Sequence, residues 1–190
     1  MPEATIALVT GASRGIGSAT CLTLARAGLT VGVGYRSDPQ GAEETVAKAR
    51  ADGGTALSVA VDVRDEASID EAFRRVEKDV GPIRVLVNNA GYTKDGLAVK
   101  YTTENWDATV DTNLKGAFLC CRRALPAMLK ARWGRIVNVA SVAALRGNAG
   151  QAAYSASKAG LVGLTRSLAR ESGGAASPST RSARASWRPA

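Results

Sequence analysis

Short, nearly continuous apolar runs alternate with stretches of helical periodicity along most of this chain. "TIALV" opens the series near the N-terminus, followed by "LTVGVGY", "TALSVAVDV", "RVLVNNAG" and "GRIVNVAS". Between these runs, apolar positions recur three and four residues apart from the first glycine-rich turn through Ala27, and then over 42–51, 66–80, 103–130 and 154–171. A strand that is hydrophobic at nearly every position, not at alternate ones, is buried on both faces. The alternation therefore predicts a parallel sheet covered by helices on both sides, a doubly wound α/β domain.

The pattern ends at Glu171. Among residues 172–190 the one large apolar side chain is Trp187, in a background of Ser, Ala, Gly, Pro and Arg, so a disordered tail is expected after a single domain spanning 1–171. At 190 residues and 45% hydrophobic, the chain can bury one sizeable core. No run of 18 apolar residues and no basic-then-apolar leader is present, which predicts a cytoplasmic protein without a membrane span. Cys21, Cys120 and Cys121 fall in helix-like stretches without metal-ligand spacing, and adjacent thiols are poor disulfide partners; buried reduced thiols are expected. The net charge of +8 owes part of its excess to Arg181, Arg184 and Arg188 in the tail. The other basic residues are scattered and not interleaved with aromatics, which argues against nucleic acid as a partner.

Candidate chemistry begins directly after the first strand, with Thr10, Gly11, Ser13, Arg14, Gly15, Ile16 and Gly17 in "TGASRGIG". A turn that brings backbone amides and a helix N-terminus up to a pyrophosphate needs positions free of a Cβ, so this spacing in this place predicts dinucleotide binding on a Rossmann-type sheet. At the end of the second strand, where an acid would hydrogen-bond the ribose hydroxyls of NAD, stand Tyr35 and Arg36. Arg36 and Arg14 together suit the 2′-phosphate of NADP, although Asp38 lies close by as an opposing charge. Asp62 and Val63 end the third strand in position to meet adenine, and Asn89, Ala90 and Gly91 end the fourth strand on the same carboxyl edge.

Tyr154 and Lys158 are four residues apart and share a helix face. An adjacent ammonium favours the phenolate, which draws a tyrosine toward the working range of a proton donor. Ser141, after the fifth strand, can hold a substrate oxygen, and Asn113, within the long helical stretch, can bind backbone or water.

TGxxxGxG, NNAG, Asn113, Ser141 and YxxxK stand here in the order and spacing of the short-chain dehydrogenase/reductase family, and the chain resembles that family over residues 6–171. "NNAGYTKDGLAVKYTTENWDATVDTNLKGAF" and "GNAGQAAYSASKAGLVGLTRSLARE" look most like its 3-oxoacyl-[acyl-carrier-protein] reductases, with acetoacetyl-CoA reductases and polyketide ketoreductases as alternatives. The resemblance implies NADPH-dependent reduction of a 3-ketoacyl thioester in fatty acid biosynthesis by a homotetramer. It implies Tyr154 as proton donor, Lys158 on both the tyrosine and the nicotinamide ribose, Ser141 on the reacting oxygen and Asn113 holding a water. Arg132 matches a basic position that docks acyl carrier protein. It also implies that "GRRGITVNAVRPGFVET" or its like should follow Glu171, forming a sixth strand. One permitted codon set for residues 172–190, read in another frame, gives that kind of segment. A frameshift near codon 171 is therefore expected, leaving a sheet without the family's last strands; a catalytically silent remnant is the further alternative.

Overall fold

The computed structural model describes residues 5–173, so the expected tail beyond Gly173 and its reading frame lie outside the described residues. Five strands form one parallel sheet: β1 (Ile6–Val9), β2 (Thr30–Tyr35), β3 (Thr55–Ala60), β4 (Ile83–Asn88) and β5 (Arg135–Asn138), in the order β3-β2-β1-β4-β5. Helices α1 (Gly15–Arg26), α2 (Pro39–Ala51) and α3 (Glu66–Asp79) link the first four strands. A 3₁₀ turn at Ala98–Lys100, α4 (Thr103–Val110), a π-helical turn at Asp111–Lys115 and α5 (Gly116–Lys130) precede β5; α6 (Ala143–Arg146) and α7 (Ala152–Gly173) follow it. Among the described residues β5 pairs with β4 alone and forms one edge of the sheet.

The doubly wound expectation holds, because each sheet face carries its own core. One contains Leu8, Phe73, Leu86, Leu119 and Leu168, bringing α3, α5 and α7 together; the other contains Val9, Cys21, Val31, Val33 and Val46, where α1 and α2 pack. All three cysteines are buried and free. Burial pushes the thiols of Cys21 and Cys120 up to about 12 and that of Cys121 to about 11, so none is a thiolate at neutral pH. Among the described residues, no helix is long and apolar enough to cross a membrane.

Several boundaries depart from the sequence expectation, and each departure has a local cause. α2 starts at Pro39, not Ala42, because Asp38 caps it: its carboxylate accepts from the Gly41 amide at 3.0 Å, and a proline is well suited to the first helical position. β3 stops before Asp62, whose amide donates to Ser68 Oγ at 2.9 Å. The helix expected over 103–130 is interrupted by the π-helical turn, a one-residue slip of hydrogen-bond register that turns Asn113 inward to 1% exposure. α7 runs two residues beyond Glu171, and Ser172 Oγ donates back to the Leu168 carbonyl at 2.6 Å.

Candidate active site

The chain moves outward from β1 to β2 and β3, then returns to the other side of β1 as β4. Connections therefore leave in opposite directions at the carboxyl ends of β1 and β4, where an open crevice forms. A cleft of about 450 Å³ lies there, lined from all five strand ends by residues that include Gly11, Tyr35, Val61, Asn89 and Val139.

The crevice is built by polar contacts between the two diverging strands. Thr10, 1% exposed, places its hydroxyl oxygen 3.1 Å from each of the Asn89 and Ala90 amides and accepts from both. Asn89 returns the contact: its side-chain amide donates to the Thr10 and Gly11 carbonyls at 3.0 and 2.8 Å. This packing brings the backbones so close that a Cβ on Gly11, which has φ of +62°, would stand 2.7 Å from Ala90 Cα. A Cβ on Gly17 would stand 2.4 Å from the Gly11 carbonyl oxygen. Gly15 needs its lack of a side chain for another reason, a φ of +59°. Of the loop residues expected at the cofactor, Gly11, Ser13, Arg14 and Ile16 line the cleft, Thr10 and Gly17 are buried behind it, and Gly15 is exposed outside the cleft wall.

Arg14 and Arg36 line the same end of the cleft, together with Asp38, Asp62 and Val63. Asp38 is occupied as the cap of α2; the Gly41 amide, then Ser13 and Arg14, hold its carboxyl below the usual carboxylate range. Asp62 is gripped by its neighbour Arg64, whose Nε and terminal nitrogen donate to the two carboxylate oxygens at 3.0 and 2.6 Å, and that contact is the main reason its pKa is lowered.

At the opposite end stand Tyr154 and Lys158, with the Lys158 ammonium 5.8 Å from the centroid of the Tyr154 ring. Lys158 is 4% exposed and donates to the Val139 carbonyl at 2.7 Å. Asn113 has both amide hydrogens committed, to the Tyr92 carbonyl at 2.9 Å and Ser157 Oγ at 3.0 Å, while its oxygen accepts from the Tyr92 amide at 2.7 Å. Any water it holds must therefore sit on an acceptor, its side-chain or backbone oxygen. Gly91 lies between the two groups: a Cβ there would be 3.5 Å from Asn113 Oδ1 and 3.8 Å from Lys158 Nζ. Ser141 is half-buried and its Oγ accepts from the Ala143 amide at 3.2 Å; neither it nor Asn113 forms part of the cleft wall. Among the cleft-lining residues that the sequence reading missed are Tyr92, Thr93, Thr112 and Ala140. Tyr92 could have been found as the residue directly after NNAG; the others carry no local signal.

Burial draws the Lys158 pKa from 10.5 down to about 8. Between these values the unfolded chain binds a proton that the folded chain has released, so stability rises with pH across that window, and below about pH 8 the full cost of the buried charge is present. Denaturant unfolding of the wild type and Lys158→Met from pH 7 to 10.5 should show the wild type gaining on the variant by roughly 3 kcal/mol. Parallel profiles would mean that the amine titrates as if it were in water.

The sequence and fold match known proteins. A family model described as short chain dehydrogenase covers residues 5–175. A 3-oxoacyl-[acyl-carrier-protein] reductase of Synechocystis sp. is 46% identical over 168 residues, which are 88% of this chain and 68% of that protein. Reductases of the same name from Staphylococcus aureus strain Mu50 and Pseudomonas aeruginosa are 45% and 43% identical, with 67% and 68% of their lengths covered and 87% and 88% of this chain. The crystal structure of a protein assigned as a short-chain alcohol dehydrogenase from Sinorhizobium meliloti 1021 superposes with a TM-score of 0.86 at 40% identity, covering 90% of this chain and 68% of that one. With the family model spanning the whole described structure, and with α7 presenting Tyr154 and Lys158 to a glycine-walled cleft at the carboxyl edge of the parallel sheet, the chain belongs to the short chain dehydrogenase family and is an oxidoreductase acting on ketone or hydroxyl groups.

Proposed function

We propose that this protein reduces 3-ketoacyl thioesters with NADPH; the relatives' name, 3-oxoacyl-[acyl-carrier-protein] reductase, supports the acyl substrate. The observation that carries the cofactor choice is that Arg14 and Arg36 both line the cleft while Asp38, two residues beyond Arg36, is spent on capping α2. Two guanidinium groups favour a phosphate on the ribose, and a carboxylate already held by a backbone amide is a poor acceptor for ribose hydroxyls. The missing side chain of Gly11 lets the glycine loop pack directly on Ala90, which leaves the amides at the N-terminus of α1 to receive a pyrophosphate, and Asp62 and Val63 offer an edge for adenine.

Bound NADPH supplies the hydride. Tyr154 donates the proton that the substrate oxygen takes up, and Ser141 hydrogen-bonds that oxygen. Lys158 stabilises the phenolate left on Tyr154 and holds the nicotinamide ribose, while Asn113 holds the loop bearing Tyr92 and offers an acceptor for the water that returns a proton to Lys158. In this reading the substrate arrives on acyl carrier protein, an acidic partner for which Arg132 is the docking candidate. Arg132 is exposed in the turn after α5. A cytoplasmic homotetramer completes the proposal.

The test is NADPH oxidation with a series of 3-ketoacyl thioesters, set against NADH. NADPH should be preferred roughly tenfold or more, as the loss of a charge-assisted hydrogen bond of about 1.5 to 3 kcal/mol requires, and Arg36→Asp should reverse the order. Equal rates with both cofactors in the wild type would refute the cofactor assignment. Turnover of simple ketones but of no acyl thioester would favour another oxidoreductase of the family.

A further inference from the structure

Between Asn88 and Ala98 the chain has neither helix nor strand, yet this segment places Tyr92 and Thr93 in the cleft wall beside Tyr154. Two ties hold it against the start of α7. The inner tie is Asn113, which grips both backbone groups of Tyr92 and bonds to Ser157 Oγ; that oxygen in turn donates to the Tyr154 carbonyl at 2.8 Å. The outer tie lies at the mouth, where both carboxylate oxygens of Asp95 accept from Gln151 Nε2, at 3.1 and 3.2 Å, and the Gly96 amide donates to the Gly150 carbonyl at 2.8 Å. Thr93 Oγ1 also donates to Asp95 at 3.0 Å, and Asn148 donates to the oxygen of Gln151 at 3.0 Å, so each partner is oriented by a second contact. Gln151 immediately precedes α7, and its carbonyl accepts from the Ser155 amide at 2.8 Å.

Asp95 is exposed and Gln151 half-buried, and neither side chain lines the cleft. A hydrogen bond in such a place adds little to folding stability, because water competes for both partners. Its effect is geometric. It holds the outer edge of a loop that has neither helix nor strand at a set distance from the helix turn that carries Tyr154.

We propose that Asp95 and Gln151 are positioning residues of the substrate mouth, a clasp that holds the loop bearing Tyr92 and Thr93 against the start of α7 and so sets how the ketone is received beside Tyr154. The substrate part of this inference rests on the reductase reading above; the clasp itself does not.

Two measurements on the full chain keep them apart. The first is hydrogen exchange, in which Gln151→Ala and Asp95→Ala should each accelerate exchange over residues 92–101 by roughly tenfold, with the sheet unaffected. The second is kinetic. Each single variant should raise KM for a 3-ketoacyl thioester by roughly tenfold with little change in kcat and in the Kd for NADPH, and the double variant should be no worse than either single one. The reversed pair, Asp95→Asn with Gln151→Glu, exchanges donor and acceptor and should recover most of the lost KM. Unchanged exchange in both single variants overturns the clasp. Additive KM effects, an unchanged KM, or a reversed pair no better than the singles overturns its role at the substrate mouth. If no thioester is turned over, the reductase reading fails, and the exchange data alone still decide whether the clasp exists.

Discussion

Tyr154→Phe is expected to lower the turnover of ketone reduction by roughly 10²- to 10⁴-fold, the usual worth of a positioned general acid, while leaving the Kd for NADPH nearly unchanged. The two effects separate because of what the substitution leaves in place. The ring remains, and with it the contact that sets the Lys158 ammonium 5.8 Å from its centroid. The backbone carbonyl of residue 154 still accepts from Ser157 Oγ. Among the described residues no partner takes a hydrogen bond from the Tyr154 hydroxyl, so its removal leaves no buried group unpaired and should cost the fold little. Pre-steady-state reduction, with cofactor binding followed by NADPH fluorescence, separates the chemical step from the binding step. Near-normal turnover would remove Tyr154 from the role of proton donor. A parallel loss of NADPH affinity would show that the hydroxyl, and not only the ring, shapes the cofactor site.

A second large effect is expected at Gly17, with a built-in comparison at Gly163. Both are helical glycines, and alanine at such a position ordinarily stabilises a helix by about 0.5 to 1 kcal/mol. Gly163 on α7 has nothing within 4 Å of where a Cβ would stand, so Gly163→Ala should show that gain. At Gly17 the same atom would lie 2.4 Å from the Gly11 carbonyl oxygen, 2.6 Å from Asn89 Nδ2 and 2.7 Å from Ala12 Cα. Two of these neighbours are backbone and cannot rotate away, and the third is the amide that ties β4 to the glycine loop. Gly17→Ala should therefore destabilise by roughly 1 to 3 kcal/mol, the range for overpacked sites, and weaken NADPH binding by more than about tenfold as the loop is pushed off Ala90. Thermal unfolding of the two variants beside the wild type decides the matter. A shift of the same sign in both would mean that the loop has slack the structure does not show.

The legibility of this molecule in its sequence follows from how local each signal is. The Val-rich runs and their alternation with helical spacing are local, so sheet type, strand sequence and the two-sided core could be read directly. The glycine loop was legible for the same reason, since its position after β1 supplies the context. Contacts across the chain were not. Asn88 and Asn138 are paired in the parallel register of β4 and β5, joined side chain to side chain at 2.8 Å, and Asn138 continues to Thr165 on α7 at 2.8 Å. These residues are adjacent only once the sheet has formed, and nothing in their sequence neighbourhoods announces the link. The π-helical turn was hidden by a hydrophobic pattern that runs across it unbroken, although Asn113 itself stood out as a polar residue inside a helix. The loop from Tyr92 to Leu97 has no periodicity to read, and its order comes from partners in the turn just before α7 and in the π-helical turn.

Asp38 offered the sequence evidence against a phosphate-bearing cofactor, and it turned out to be a helix cap. That double placement has an engineering consequence. Charge and architecture are joined at residue 38 but separate at residue 36, so the two positions are not equivalent handles for redesigning cofactor use. Replacing Asp38 with an apolar or basic side chain would strip the first turn of α2 of its cap along with the charge. Asp38→Asn keeps an acceptor for the Gly41 amide while erasing the charge, because asparagine caps a helix about as well as aspartate. Selection at residue 36 can therefore move freely, whereas selection at residue 38 is confined to the few side chains that also start a helix.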